Sequence, residues 1–214
     1  MTCEGGDIMQ SFTINGQTIT FDAKKHHYYV DTQRIASIGE IVEKFMPRKP
    51  VRVDKERMQN AAQKGVDLRE RIVAYEINAF NDYHVELQRY IALKRQHQFD
   101  VKATNILVAL HDQGKIIAAG KMALLVESPY IKGTGIADIK RMQHLDLERL
   151  RLQLNLYKLA YEQTYKKRLT YIKCIHIRHH KKDYVDIPID KSVAEKALAY
   201  YLASSQIDTA LWMK

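Results

Sequence analysis

The chain has 214 residues, enough for one domain with a sizeable core and too few for two of ordinary size. With 46% hydrophobic and 28% charged residues, and only 9 Gly and 4 Pro, it is not a disordered, fibrous or low-complexity chain. Lys and Arg total 34 against 25 Asp and Glu, a formal charge of +9 that favours polyanionic partners, nucleic acid first among them.

No apolar run reaches the ~20 residues of a membrane span, and the opening MTCEGGDIMQ has no secretory h-region. Two cysteines, Cys3 and Cys174, suit neither a disulfide framework nor a four-thiolate metal site. These features predict a cytoplasmic protein with no membrane partner.

In chain order, SFTINGQTITF alternates apolar and polar residues around Asn15-Gly16, the pattern of a β-hairpin. A second short strand pair is expected at HHYYV and RIA. Ser37 and Glu40 have capping-box spacing, which starts a short helix running to about Met46, and Pro47 and Pro50 stop it. From Asp54 to about Gln96 the apolar spacing predicts one long helix or two in series, with Gly65 as the place for a bend or a close backbone approach.

FDVKATNILVAL and KIIAAGKMALLVE then read as antiparallel strands, SPYIKG as a loop and TGIADIKRM as a third strand. A leucine-rich helix is predicted from His144 to Tyr165, then strands at LTYIKCIHI and YVDIPI, and a closing helix from Lys191 to Ser205. The leucine stripe suits a helix covering the sheet better than a dimer seam, although a homo-oligomer is compatible with the sequence. The order predicts an α/β (α+β) fold, a mixed central sheet flanked by helices with an N-terminal β-hairpin extension over residues 1–50.

The chemistry concentrates at the end of the third of these strands. Asp138 and Lys140, at i and i+2, share one face about 6 to 7 Å apart. Gln153 and Tyr157, at i and i+4 on the following helix, share another. A carboxylate can hold a divalent metal that polarises a phosphoryl oxygen, while an adjacent ammonium steadies the phosphate, which suits phosphodiester hydrolysis. Alternating acid and base on a solvated strand is the competing reading.

GIADIK followed by HLDLERLRLQLNLY resembles the core of the PD-(D/E)XK nuclease superfamily, in its RecB-like branch of phage and prophage proteins: a strand ending (D/E)-x-K, then a helix with Q-x-x-x-Y. YYVDTQRIASIGEIV, NAAQKGVDLRERIVAYE and ATNILVALHDQGKIIAAGKMALLV resemble further family segments in the same order, over roughly 150 residues. The resemblance implies a nuclease core over residues 51–214, a DNA substrate and a Mg²⁺ or Mn²⁺ cofactor. It makes Asp138 a metal ligand and catalytic residue, Lys140 the group that positions the attacking water, and Gln153 and Tyr157 the groups that orient the site and the DNA backbone.

The departures bear on activity. Ala123 stands where the family pattern has the Asp of A-G-x-x-D-L, Arg69 where it has His, Asn105 where it has Glu, and Gly39 where it has Thr. Asp138 remains at the implied metal site, with the Asn105 amide oxygen and Ile139 carbonyl as supplementary donors. Ala123 marks the missing ligand, which implies impaired cleavage, whether the change is natural or engineered; Arg69 and Asn105 favour a natural state. Glu127, four strand residues away, is too distant to replace the missing acid, and Asp67 and Glu70, beside Arg69, could do so only if their helix bends towards the site.

The expected nucleic-acid contacts are Arg69, Lys121, Tyr157, Arg178 and Lys181, with Lys182 beside them, and Tyr130 near Lys132 is a candidate for base stacking. The histidines His26, His27, His176, His179 and His180 match no standard zinc spacing. P-loop, serine-hydrolase and thiol-enzyme signatures are missing from the sequence. The expectation is therefore a metal-dependent DNA nuclease impaired in this form. The alternatives are a catalytically inactive nucleic-acid-binding or regulatory protein on the same scaffold, and a structural protein.

Overall fold

A computed structural model describes residues 9–14, 16–48, 54–178 and 180–212, with the side chains of residues 55 and 205–212 left aside. Two hairpins open the chain: β1 (Met9–Ile14) with β2 (Gln17–Asp22), and β3 (His27–Val30) with β4 (Gln33–Ser37). Of the expected first turn, Gly16 has φ 78°, the left-handed conformation that such a turn demands, while Asn15 lies outside the described residues.

Helix α1 (Ile38–Phe45) begins on the expected capping box: Glu40 N–H donates to Ser37 Oγ at 3.1 Å and Ser37 N–H to Glu40 Oε2 at 2.7 Å. Of the two prolines expected to stop it, Pro50 lies outside the described residues. Two helices follow, α2 (Lys55–Asn78) and α3 (Val85–His97). The break falls after Asn78, where Ala79 adopts a left-handed φ of 54° and caps the helix, so Gly65 marks neither a bend that ends the helix nor a close approach.

Strands β5 (Asp100–Asp112), β6 (Lys115–Ser128) and β7 (Ile131–Lys140) follow. The expected loop SPYIKG shrinks to a turn at Pro129-Tyr130, because β6 and β7 pair out to Ser128 and Ile131. Helix α4 (Leu147–Tyr165) starts later than the leucine spacing suggested. Asp146 caps it by accepting from Arg149 N–H at 3.0 Å, which leaves Leu145 outside the helix and Leu147 exposed. Strands β8 (Tyr171–Arg178) and β9 (Lys181–Asp186) and helix α5 (Lys191–Trp212) close the chain.

The nine strands among the described residues join one mixed sheet in the order β1-β2-β3-β4-β6-β7-β8-β9, with β5 also on β6. Helices flank it, giving a mixed α/β fold. The N-terminal hairpins extend the same sheet as the rest of the chain, through β4. Alternate residues of the buried strand β8 mark the two faces. Ile172 and Cys174 face the core built by α1, α4 and α5, while Tyr171, Ile175 and Ile177 face the one built by α2 and α3. A third cluster joins Ile14, Ile19, Phe21 and Tyr28 of the hairpins to Leu107, Ala109 and Ala119.

The feature that shapes the site is how β6 shares its edges. One edge pairs with β5 along nearly its whole length. The other pairs with β4 in parallel at Ala118 and Ala119, then with β7 in antiparallel from Leu124 onwards. Between them, at Gly120 to Ala123, β4 has ended and β7 is paired with β8 but no longer with β6, so the sheet opens on this edge. None of the described helices is long and apolar enough to cross a membrane.

Two glycines test this packing in opposite senses. A Cβ at Gly135 would lie 2.3 Å from Tyr171 Cε2, whose ring is held by a buried hydrogen bond from Oη to the Val126 carbonyl at 2.9 Å, so Gly135→Ala should destabilise by about 1–3 kcal/mol. Gly65 lies in α2 with open space around it, so Gly65→Ala should stabilise by about 0.5–1 kcal/mol. Urea unfolding of the two variants checks both signs.

Candidate functional site

The strand–helix pair β7 and α4 brings Asp138, Lys140 and Gln153 together. Alternation along β7 turns Asp138 and Lys140 to one face, and α4 crosses that face with Gln153. Lys140 Nζ lies 2.8 Å from Asp138 Oδ2 and donates to Gln153 Oε1 at 3.0 Å. The contact with Asp138 is an ion pair rather than an aligned hydrogen bond, and the buried Oδ2 receives none from the described residues.

The chain just beyond β7 is pinned on both sides. Arg141 Nε reaches both oxygens of Glu86, at 2.9 and 2.8 Å, and Glu86, in the first turn of α3, is 4% exposed. On the other side, the His176 ring Nε2 lies 2.7 Å from the Met142 carbonyl oxygen. Removing either partner of the buried Arg141–Glu86 pair would strand a charge, so this contact holds the end of β7 in place. Both residues were missed in the sequence; Arg141, adjacent to Lys140, was the one available signal.

One turn further along α4, Tyr157 packs over Gly120, where a Cβ would come within 2.8 Å of its ring. Burial, then the neighbouring Tyr28 and the Asp138 carboxylate, push its phenol well above the ordinary value, with Arg69 pulling the other way.

The second half is a cleft of about 600 Å³ at the opening in the sheet, lined by Tyr28, Arg69, Glu70, Asn105, Lys121 and Tyr157 among others. Arg69 reaches across from α2. Its Nη2 donates to Asn105 Oδ1 at 3.3 Å and to the Lys121 carbonyl at 3.4 Å, in the stretch of β6 that neither β4 nor β7 pairs. Asn105 has φ 51°, a left-handed conformation that Asn tolerates better than most side chains.

Lys121 Nζ donates to Gln10 Oε1 and sits 4.1 Å from the centre of the Phe21 ring. Burial, then the like charge of Arg69, lowers the Lys121 pKa. Burial also pushes the Tyr28 phenol up to about 12, opposed by Arg69 and by a hydrogen bond with the Lys121 backbone.

Of the residues expected to hold metal, Ala123 is 3% exposed and packs in the apolar cluster with Leu68 and Ile72, one residue beyond the last β6–β7 pair at Leu124 and Ala137. The Asn105 amide oxygen is taken by Arg69, and Asp138 is paired with an ammonium. Elsewhere Glu127 bonds Thr134 and pairs with Lys102, Asp67 accepts from Gln63, and Glu70 lines the cleft from an exposed position. Among the described residues, no three His, Cys, Asp or Glu side chains group as metal ligands. Mg²⁺ wants at least one or two carboxylates alongside phosphates, and here it would have to displace Lys140 from the one available. The donors present suit an anion better than a dication.

Arg178 and Lys181 face each other across the β8–β9 turn, two residues beyond His176, which pairs with Lys140. They thus stand at the same end of the sheet as Lys140 but do not line the cleft. Lys181 pairs with Asp183 at 3.0 Å, and Lys182 is exposed. A smaller hollow of about 210 Å³, one turn back along α4, is lined by Arg48, Lys140, Arg149 and Gln153. Tyr130 is exposed and donates to Gln98 Oε1 at 2.8 Å.

His179 lies outside the described residues, and His176 is 2% exposed and engaged with Met142, so the histidines form no zinc centre among the described residues.

No protein-family model matches the chain, and no curated protein matches it. Among solved structures, it is similar to one described as the crystal structure of SSO0001, at 13% identity and a TM-score of 0.35, over 76% of this chain and 84% of that one.

Cys174, beside Asp138 on the neighbouring strand, is buried, and burial pushes its thiol up to about 12. In a Cys3→Ser background, Cys174 should resist thiol reagents at pH 8 and react fully only in denaturant; rapid labelling of the native chain would contradict this burial.

Proposed function

We propose that the chain is a nucleic-acid-binding protein on a PD-(D/E)XK-type, RecB-like nuclease scaffold of the phage kind, in which phosphodiester hydrolysis is impaired. One observation carries the reading: Lys140 Nζ touches both Asp138 and Gln153, the three positions singled out by the strand and helix motifs. On this reading the Lys140 ammonium meets a backbone phosphate, Gln153 and the Asp138 carboxylate hold it in position, and Tyr157 orients the backbone between the two hollows. The basic turn at Arg178 and Lys181 adds contacts to flanking phosphates, which position nucleic acid without reading its sequence.

A bound Mg²⁺ or Mn²⁺ would supply activated water. The absence of a carboxylate at Ala123 and the engagement of Asn105 by Arg69 are the reasons for weak hydrolysis. The fold also supports the reading, since a mixed sheet flanked by helices carries the site at strand ends, but fold alone assigns no activity.

DNA binding by fluorescence anisotropy, with a cleavage assay in Mg²⁺ or Mn²⁺ alongside, tests this. The chain should bind linear DNA with a negative salt slope, and Lys140→Ala should weaken binding about 10-fold, the loss of one charge-assisted contact. Cleavage should stay near background in the native chain and rise in Ala123→Asp, at some cost in stability because that position is buried. Absence of DNA binding would overturn the reading, and efficient cleavage by the native chain would overturn its impaired hydrolysis.

A further inference from the structure

Several half-buried cations among the described residues are matched by carboxylates: Lys140 by Asp138, Arg141 by Glu86, Lys94 by Glu76 and Lys158 by Glu162. Arg69 and Lys121 are not. They share one cleft, both are half-buried, and neither has a carboxylate within 4 Å among the described residues.

The oxygens that hold them are neutral. Arg69 has the Asn105 amide and the Lys121 carbonyl, and Lys121 has the Gln10 amide. Neutral acceptors fix a guanidinium without cancelling its charge. Glu70, the carboxylate lining the cleft, is exposed and makes no ion pair with either cation. Burial first and the like charge of Arg69 second lower the Lys121 pKa, and a bound anion would offset both.

We propose that this cleft is a metal-independent phosphate site in which the Arg69 guanidinium, fixed by Asn105 and the Lys121 carbonyl, supplies the positive charge. The planar guanidinium has five N–H donors, and the two bonds seen use only Nη2, so donors remain for an incoming phosphoryl oxygen. Tyr28 and Tyr157 line the same space with phenols that burial keeps protonated. The inference rests on the nucleic-acid reading only for what carries the phosphate; the chemistry is that of a phosphodiester or of a free phosphate.

The test is calorimetry on the full chain with two probes, a single-stranded oligonucleotide and inorganic pyrophosphate, each in excess EDTA and again in Mg²⁺. Oligonucleotide affinity should agree within about twofold between EDTA and Mg²⁺. It should fall about 10-fold in Arg69→Gln and in Lys121→Gln, with the salt slope reduced by about one. Unchanged melting curves identify folded variants, and two variants guard against one failing to fold.

Oligonucleotide binding that requires Mg²⁺, or that is indifferent to both substitutions, overturns the inference and leaves the nucleic-acid reading intact. Pyrophosphate binding in EDTA that both substitutions weaken, with no oligonucleotide binding, supports the site and overturns the nucleic-acid reading. Failure of both probes overturns both.

Discussion

The arrangement of this molecule depends on one constraint: a single edge of β6 serves two strands, β4 and β7, and neither pairs with it between Ala119 and Leu124. β4 stops at Ser37 opposite Ala119, and β7 loses its pairing with β6 at Ala137 opposite Leu124. Backbone groups in the stretch between them need partners from elsewhere, because unpaired peptide groups away from water are costly. Arg69 answers part of that demand through the Lys121 carbonyl. The same gap admits Tyr157 over Gly120, since no strand covers that position and no Cβ obstructs the ring. A polar cleft is thus the direct outcome of strand topology.

Around this opening, charge is organised in two different ways. At the end of β7, the Lys140 ammonium is balanced by Asp138 and steadied by Gln153, so its geometry is set and its field is partly cancelled. In the cleft, Arg69 and Lys121 are positioned by neutral amide and peptide oxygens, so their geometry is set and their field is kept. An excess of basic residues over the whole chain says nothing about where the potential is concentrated.

Rigidity at the site has a structural source as well. The residues after β7 are tied to α3 through Arg141 and Glu86, and to β8 through Met142 and His176. Gln153 and Tyr157 sit on α4, whose Leu152, Leu154 and Leu156 are buried against the sheet. The leucine stripe thereby has a use other than a dimer seam: it fixes the helix that presents the two polar residues.

Much of the fold was legible in the sequence because it rests on local rules. The Ser37 capping box, the alternation in the N-terminal hairpin and the long apolar runs of β5, β6 and β8 are each dictated within a few residues, by hydrogen-bond geometry or by side-chain periodicity. The neighbourhood of Asp138 with Lys140, and of Gln153 with Tyr157, follows from strand and helix repeats in the same way.

What lay outside those rules needed the tertiary structure. The helix break after Asn78 depends on a left-handed cap at Ala79 that no glycine announces. The burial of Ala123, the meeting of Arg69 with Asn105 across 36 positions, and the Arg141–Glu86 anchor across 55 join residues through space. The sequence by itself determined which elements form and which residue types they carry. Only the folded sheet decided which charges are matched by carboxylates and which are not, because that depends on strand order and distance rather than on any local pattern.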